Sequence, residues 1–491
     1  MRRALNWTRT LGGEEGFPVI LWGIVAVAVL LRLASAILQG ETVASLPGIN
    51  DQISYHTLAL RILTGHGFTF PTPWWPATAA NQPTAQWSFL YPLYLAAIYG
   101  VFGVHPLVAR LIQAVIAGVL QPILTYRIGR RLFGERVGVI AAGLVAVYAY
   151  FFYYAGALMT ETFYILAVLL AFDLTLTLGQ SEGSNQGYRS WLWLGLAIGM
   201  AALLRQLILL FLPLVYGWLF LVKWWKMPAS SRVGSAGKTL RRLLPGLVIA
   251  TCAIIALIVP WTIRNYVAFH QFVLLNTNDG YVFFWANNPI YGTSFIPILS
   301  DATYARMIPA SLRGLNEAAL NDALLKLGIE YVIANPGRFA LLSLSRVKFF
   351  FEFWPSADSS LASNVSRVLS FGILLPFMVA GLFLTFRDWW RVRSEQRWAL
   401  ALIVLFMVGY SLLHILTWTL IRYRLPVDAL LIVFAARAVS ELVARLVDGR
   451  TVTREPASLP LSASLSTNRG RAGRNALAGD SDWKTLNPVE R

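Results

Sequence analysis

The chain has a single cysteine, Cys252, in 491 residues. One thiol closes no internal disulfide, and paired cysteines at metal-binding spacing are absent. Charge is also scarce. Only 13% of residues are Asp, Glu, Lys or Arg, where a soluble domain carries about 25%. Histidine is sparse, and His56 and His66 lack the regular ligand spacing of a zinc site. No cleavable signal peptide is evident: the first apolar stretch, Val19 to Leu38, is too long for a signal h-region and is read as a retained span. No internal repeat stands out. These absences exclude a soluble enzyme, a disordered protein and a nucleic-acid-binding domain.

What is present is apolar surface. Hydrophobic residues make up 57% of the chain, with 18 Trp and 19 Tyr, and the mean hydropathy is +0.58. Lipid is the expected main solvent, with aromatic rings at headgroup level. Spans of about 20 apolar residues are expected at Val19–Leu38, Leu107–Ile128, Val137–Ala155, Thr162–Leu178, Trp191–Leu204, Leu207–Val222, Leu243–Ile263, Val368–Phe386, Ala399–Leu420 and Pro426–Val447. The net charge of +17 then reads as topology. Arg2, Arg3 and Arg9 place the N-terminus in the cytoplasm. The clusters Arg127/Arg130/Arg131/Arg136, Lys223 to Arg242 and Arg387/Arg391/Arg393/Arg397 fall on the same side only if Phe89–Gly103 lies along the outer surface instead of crossing. The expectation is an all-α polytopic protein of roughly ten spans, with both termini cytoplasmic. It has one membrane domain over 1–447 that includes external segments 39–105 and 264–366. A disordered cytoplasmic tail is expected over 448–491. Within the second external segment, Leu320, Leu324, Leu327 and Tyr331 recur at helical spacing. Asn335-Pro336-Gly337 ends that helix, and a helix at the interface follows.

The conspicuous polar residues sit at the outer ends of spans and in the two external segments. A transporter or lipid flippase instead places ionisable groups at mid-membrane. In "INDQISYHTLALRIL", Leu58, Ala59, Ile62 and Leu63 form an apolar stripe, so a surface helix begins near Asp51. Asn50 or Asp51 can simply cap it, but Asp51 can also act chemically, with Tyr55 one turn on. Glu161, in "GALMTETFYIL", opens the fourth span, where it can serve the helix dipole with Thr160 as cap. Both acids fall on the outer side, where a carboxylate pair supplies a general base and a supporting or metal-binding group. Arg205, Arg264, Arg422 and Arg424 lie on that side too. Each can snorkel to headgroups, and several together suit a phosphate. Arg32, in the outer third of span one, either joins them or snorkels.

In order along the chain come "NDQISY", "QPTAQWSFLYPLYLAAIYGVFG", "RLIQAVIAGVLQPILTYRIGRRLFGERVGVIAAGLVAVY", "YYAGALMTETFY", "VPWTIRNYVAFHQFVLLNTNDGYVFFWANNP" and "RYRLP". This ordered set resembles the type C glycosyltransferases of glycosyltransferase family 39, over about Val19 to Val447. The family includes protein O-mannosyltransferases and the lipid A aminoarabinose transferase. The resemblance implies a plasma-membrane, multi-helix fold with its site at the outer face. It implies inverting transfer of a sugar from a polyprenyl-phosphate donor to a glycan, lipid or protein hydroxyl. Asp51 matches the family's catalytic acid and Glu161 its second acidic position. Arg422 or Arg424 would fall near the donor phosphate. Gln82, Gln86 and Trp87 stand where lipid A-modifying members carry a lysine, which disfavours an aminoarabinose donor. The family's pairing of an acid with a histidine is not evident. A divalent cation, if one is used, would fall to Asp51 and Glu161. A transporter or flippase and a nonenzymatic envelope scaffold are the rival readings, and the scaffold needs neither acid beyond capping.

Overall fold

The computed structural model describes residues 18–45, 50–181, 187–227, 232, 235–355 and 361–452. The expected tail from 453 on and the arginines before Val19 lie outside the described residues. Residues up to Ala444 form one unit. A second unit, Arg445–Arg491, is described only to Val452.

The order of helices follows the hydropathy pattern. It runs α1 (Val19–Gln39), α2 (Asp51–Leu63), α3 (Leu90–Phe102), α4 (Pro106–Phe133), α5 (Glu135–Val147), α6 (Ala149–Gly156), α7 (Glu161–Gln180), α8 (Tyr188–Leu204) and α9 (Leu212–Trp225). It continues with α10 (Ala236–Phe269), α11 (Asp279–Asn287), α12 (Asp301–Met307), α13 (Glu317–Ala334), α14 (Pro336–Phe350), α15 (Leu361–Arg367), α16 (Ile373–Arg387), α17 (Ser394–Leu416) and α18 (Leu425–Val452). Among the described residues no strand forms; two isolated bridges, Thr69 with Pro83 and Trp74 with Thr78, fold the segment between α2 and α3.

Each of the ten expected spans is helical. Among the described residues, seven helices are long and apolar enough to cross a membrane, or eight if α5 and α6, bent by 52°, make one span. The other two differ for physical reasons. Helix α8 has only 17 residues, and α18 carries Asp428, Arg437 and Glu441 within its apolar stretch. The protein is therefore a multi-pass, all-α membrane protein. The 89–103 segment forms a 13-residue helix, too short to cross a hydrocarbon core of about 30 Å at 1.5 Å per residue. It packs instead on α2.

The helical spacing of Leu320, Leu324, Leu327 and Tyr331 is realised in α13. Asn335 ends that helix and also starts the next, its side chain accepting from Arg338 N. Cys252 is exposed on the surface of α10. Arg32 neither snorkels nor joins the other arginines. It is fully buried, donating to Gln121 Oε1 at 2.9 Å and to the carbonyls of Val145 and Ala146 at 3.4 Å.

Small residues set the closest helix contacts, as expected where lipid supplies no hydrophobic drive between helices. Helix α8 crosses α10 so closely that a Cβ on Gly195 would stand 2.3 Å from the Ala250 carbonyl oxygen and 2.8 Å from its Cα. Backbone cannot yield there as a flexible side chain would. Gly195→Ala is expected to separate the two helices and to cost about 1–3 kcal/mol. A fall in the thermal midpoint of detergent-purified protein checks this; an unchanged midpoint refutes the close crossing.

A candidate active site

Helix α2 begins at Asp51, and no side-chain cap closes its start: Asn50 makes no capping bond. Its inward face carries Asp51, Gln52, Ser54, Tyr55, Leu58 and Ala59, all buried. The aromatic rings of α3 and the preceding segment hold this face. Tyr55 lies edge-on to Tyr91 at 5.2 Å and to Trp87 at 5.8 Å, and His56 Nδ1 is 3.0 Å from the Tyr99 hydroxyl.

Helix α7 begins at Glu161, again without a side-chain cap from Thr160. The turn before it is shaped by two glutamines. Gln52 Oε1 accepts from Leu158 N at 2.8 Å and from Arg110 Nη2 at 3.3 Å. Gln113 Nε2 points at the carbonyls of Tyr154, Ala155 and Ala157, at 3.2, 3.0 and 2.8 Å, while its Oε1 accepts from the Tyr91 hydroxyl at 2.9 Å. Buried carbonyls left without donors would cost about 1–3 kcal/mol each, so these bonds fix where Glu161 starts. Gln52, Arg110 and Gln113 lie within the stretches that carry the family resemblance, but no role was assigned to any of them from the sequence. Only the adjacency of Gln52 to Asp51 hinted at a role.

Two arginines close the site. Arg422, in the 3₁₀ turn Ile421–Arg424 between α17 and α18, donates through Nη1 to Asp51 Oδ2 and, at 3.4 Å, to Glu161 Oε1. Arg205, at the end of α8, donates to the same Glu161 oxygen at 2.5 Å. Tyr423 underlies both guanidinium groups, 5.1 Å from Arg205 and 5.2 Å from Arg422. Glu161 is 1% exposed and Asp51 9%. Burial is the largest single influence and opposes charge on both arginines, but the neighbouring carboxylates and tyrosines together outweigh it and hold each above its ordinary pKa. Burial, then the charges of Asp51 and Glu161, push the Tyr55 hydroxyl above its usual pKa. Tyr55 is thus a proton holder at neutral pH, fit to donate a hydrogen bond and unfit to act as base.

The structure brings together Asp51, Tyr55, Glu161, Arg205 and Arg422. It places the other two arginines elsewhere. Arg264 donates to the carbonyls of Thr84 at 2.8 Å and Phe68 at 3.1 Å and lies over the Trp261 ring. Arg424 is fully buried against Asp428. Gln82 is exposed, whereas Gln86 and Trp87 are buried, and Ser88 Oγ reaches the Leu204 carbonyl at 2.5 Å, beside Arg205. Among the described residues no three His, Cys, Asp or Glu side chains converge as metal ligands. Arg422 stands between the two carboxylates.

The family described as dolichyl-phosphate-mannose-protein mannosyltransferase matches residues 86–263. That stretch contains Glu161 and Arg205 and is less than half of the chain. No curated protein matches. Among solved structures, the oligosaccharyltransferase AglB of the archaeon Archaeoglobus fulgidus, solved with an inhibitory peptide and a dolichol-phosphate, superposes with a TM-score of 0.55 at 17% identity, over 91% of this chain and 53% of that one. The apo form of the Archaeoglobus fulgidus oligosaccharyltransferase gives 0.54 at 18% identity, over 88% and 52%. ArnT of Cupriavidus metallidurans, bound to undecaprenyl phosphate, gives 0.39 at 14% identity, over 90% and 82%. The chain spans about half the length of the oligosaccharyltransferases it matches. The fold is that of the type C glycosyltransferases, in agreement with the resemblance seen in the sequence.

Glu161 is the buried partner of two cations, so Glu161→Gln leaves Arg205 without its counter-charge. Breaking a buried pair on one side costs about 3–5 kcal/mol. The thermal midpoint of purified protein is expected to fall further for Glu161→Gln than for Asp51→Asn, because Asp51 keeps some contact with solvent. Equal midpoints for the two variants would contradict this order.

Proposed function

We propose that the protein is a membrane glycosyltransferase that moves a sugar from a polyprenyl-phosphate donor to a hydroxyl acceptor at the outer membrane face, with inversion. The observation that carries this reading is the Arg422 bridge between Asp51 and Glu161, acids that lie 371 and 261 residues before it. The type C fold and the match to a dolichyl-phosphate-mannose-dependent family support it.

The chemistry follows from the groups present. A polyprenyl phosphate leaves with the bonding electrons of the anomeric C–O bond, so its growing negative charge needs nearby cations. Arg422 and Arg205 supply them, and planar guanidinium suits phosphate oxygens. The acceptor hydroxyl attacks the anomeric carbon from the opposite face, and its proton passes to the Asp51 carboxylate acting as general base. Glu161 balances the two arginines before the donor arrives. Tyr55 keeps its proton at neutral pH and so offers a hydrogen-bond donor beside the two acids. The spans also enclose a small apolar recess lined by Phe172, Ile198, Ile208, Phe211, Val215 and Phe406. Two of its residues belong to the 3₁₀ turn Gln206–Phe211 that follows Arg205. The transporter reading needs open charge within the spans. There, Arg32 is taken up by Gln121 and backbone carbonyls, and Asp173 by Arg127 and Arg131.

Asp51→Asn separates chemistry from helix capping, since Asn caps about as well as Asp. A base role predicts a loss on the order of 10²–10⁴-fold in transfer, measured with labelled polyprenyl-phosphate sugars on purified protein. Full activity in this variant removes Asp51 as the base and leaves Glu161.

The outer-face assignment is tested by single-cysteine labelling in a Cys252→Ala background. Cysteines at Gly40 and Gly103 are expected to react with an impermeant reagent from outside, and one at Gly134 only after the membrane is opened. Labelling of position 134 from outside would overturn this topology.

A further inference from the structure

Three consecutive residues in the turn between α17 and α18 face three ways. Arg422 reaches Asp51 and Glu161. Tyr423 stacks on His414, with ring centres 4.8 Å apart and planes at 25°. Arg424 turns inward and is fully buried. Its Nε donates to Asp428 Oδ1 at 2.9 Å, and its Nη1 donates to the Phe350 carbonyl at 2.5 Å. Its guanidinium carbon lies 3.4 Å from the centre of the Phe371 ring. Asp428, also fully buried, accepts at Oδ2 from the Tyr148 hydroxyl at 2.7 Å.

Tyr148 marks the break where α5 gives way to α6. Backbone freed at a helix break within a membrane needs new partners. Here Arg32 takes the carbonyls of Val145 and Ala146. From the break, α6 leads through the turn held by Gln52 and Gln113 to Glu161. One buried ion pair therefore ties the turn that carries Arg422 to the broken helix that leads to Glu161.

A buried pair contributes little net stability against an apolar replacement, because desolvating both charges offsets their attraction. What it supplies is a fixed arrangement. We propose that Arg424, Asp428 and Tyr148 are positioning residues that hold the Ile421–Arg424 turn so that Arg422 stands between Asp51 and Glu161. The inference rests on the reading of Arg422 as a donor-phosphate residue. It assigns the arginine two positions further on a different task, acting through Arg422 and touching no substrate.

Tyr148→Phe is the mildest test, since it removes one hydroxyl and keeps the ring that lies 4.6 Å from Phe151. The first readout is the rate at which phenylglyoxal modifies Arg422 in the full-length protein, followed by peptide mass spectrometry. Arg264, held by Thr84 and Phe68, serves as the internal reference. Loss of one hydrogen bond behind the turn is expected to speed modification of Arg422 by up to about tenfold and to leave Arg264 unchanged. Asp428→Asn should act in the same direction. The second readout is kinetic. The donor KM should rise in Tyr148→Phe while the acceptor KM stays at the parent value. Added to Arg422→Lys, the same change should cost little more, because coupled sites are not additive. Parent-rate labelling of Arg422 in both folded variants, or costs that simply multiply in the double variant, would overturn the proposal. If the parent protein transfers no sugar from any polyprenyl-phosphate donor, the functional reading falls, and the labelling rates still decide the positioning role.

Discussion

The contact on which the rest depends is one guanidinium shared by two carboxylates. Arg422 sits where the first turns of α2 and α7 converge. Inside a membrane protein, charges removed from water must find partners, because an isolated ion carries a desolvation cost of several kcal/mol. Two acids and two arginines balance one another, and Tyr423 supplies a ring to both cations. Four separate parts of the chain, at Asp51, Glu161, Arg205 and Arg422, must be in place before that balance exists. The cluster is thus both a closure point of the fold and a set of groups ready to trade partners with an incoming phosphate.

The fold was largely legible because lipid imposes a simple code. Apolar runs of span length became helices throughout, and the Leu320–Tyr331 spacing became α13. The placement of arginines was enough to keep the short, aromatic 89–103 run from being read as a span, and its 13 residues agree. The break at Tyr148 was not legible. "GLVAVYAYFFYY" contains no proline, and its only glycine opens the stretch. The bend is stabilised from outside the segment, by Arg32 from α1 and Asp428 from α18.

For the site, residue type and expected membrane side were enough to group Asp51, Glu161, Arg205 and Arg422. Direction was not readable. Arg422 and Arg424 look alike in "IRYR", yet a 3₁₀ turn of three residues per revolution sends one to the carboxylates and the other into the core. Arg264 has the same character as Arg205 but is consumed by carbonyls of the folded-back segment before α3. Gln52 and Gln113 are ordinary amides in sequence, and their value comes from carbonyls brought to them by distant backbone. The capping roles open to Asn50 and Thr160 are not taken up, which leaves both acids free to face the arginines.

The turn between α17 and α18 has a consequence for how this chain tolerates change in length. Surface connections usually accept added or lost residues. This one spans only Thr417 to Arg424, and its last three side chains divide among three neighbours. One residue inserted after Leu420 would rotate the downstream side chains by about 120°, carrying an isoleucine toward the acids, an arginine into the aromatic position and the tyrosine into the buried place of Arg424. Substitutions here alter one contact at a time, whereas an insertion or deletion scrambles all of them. A connection that would ordinarily be free to drift in length is therefore held to a single register.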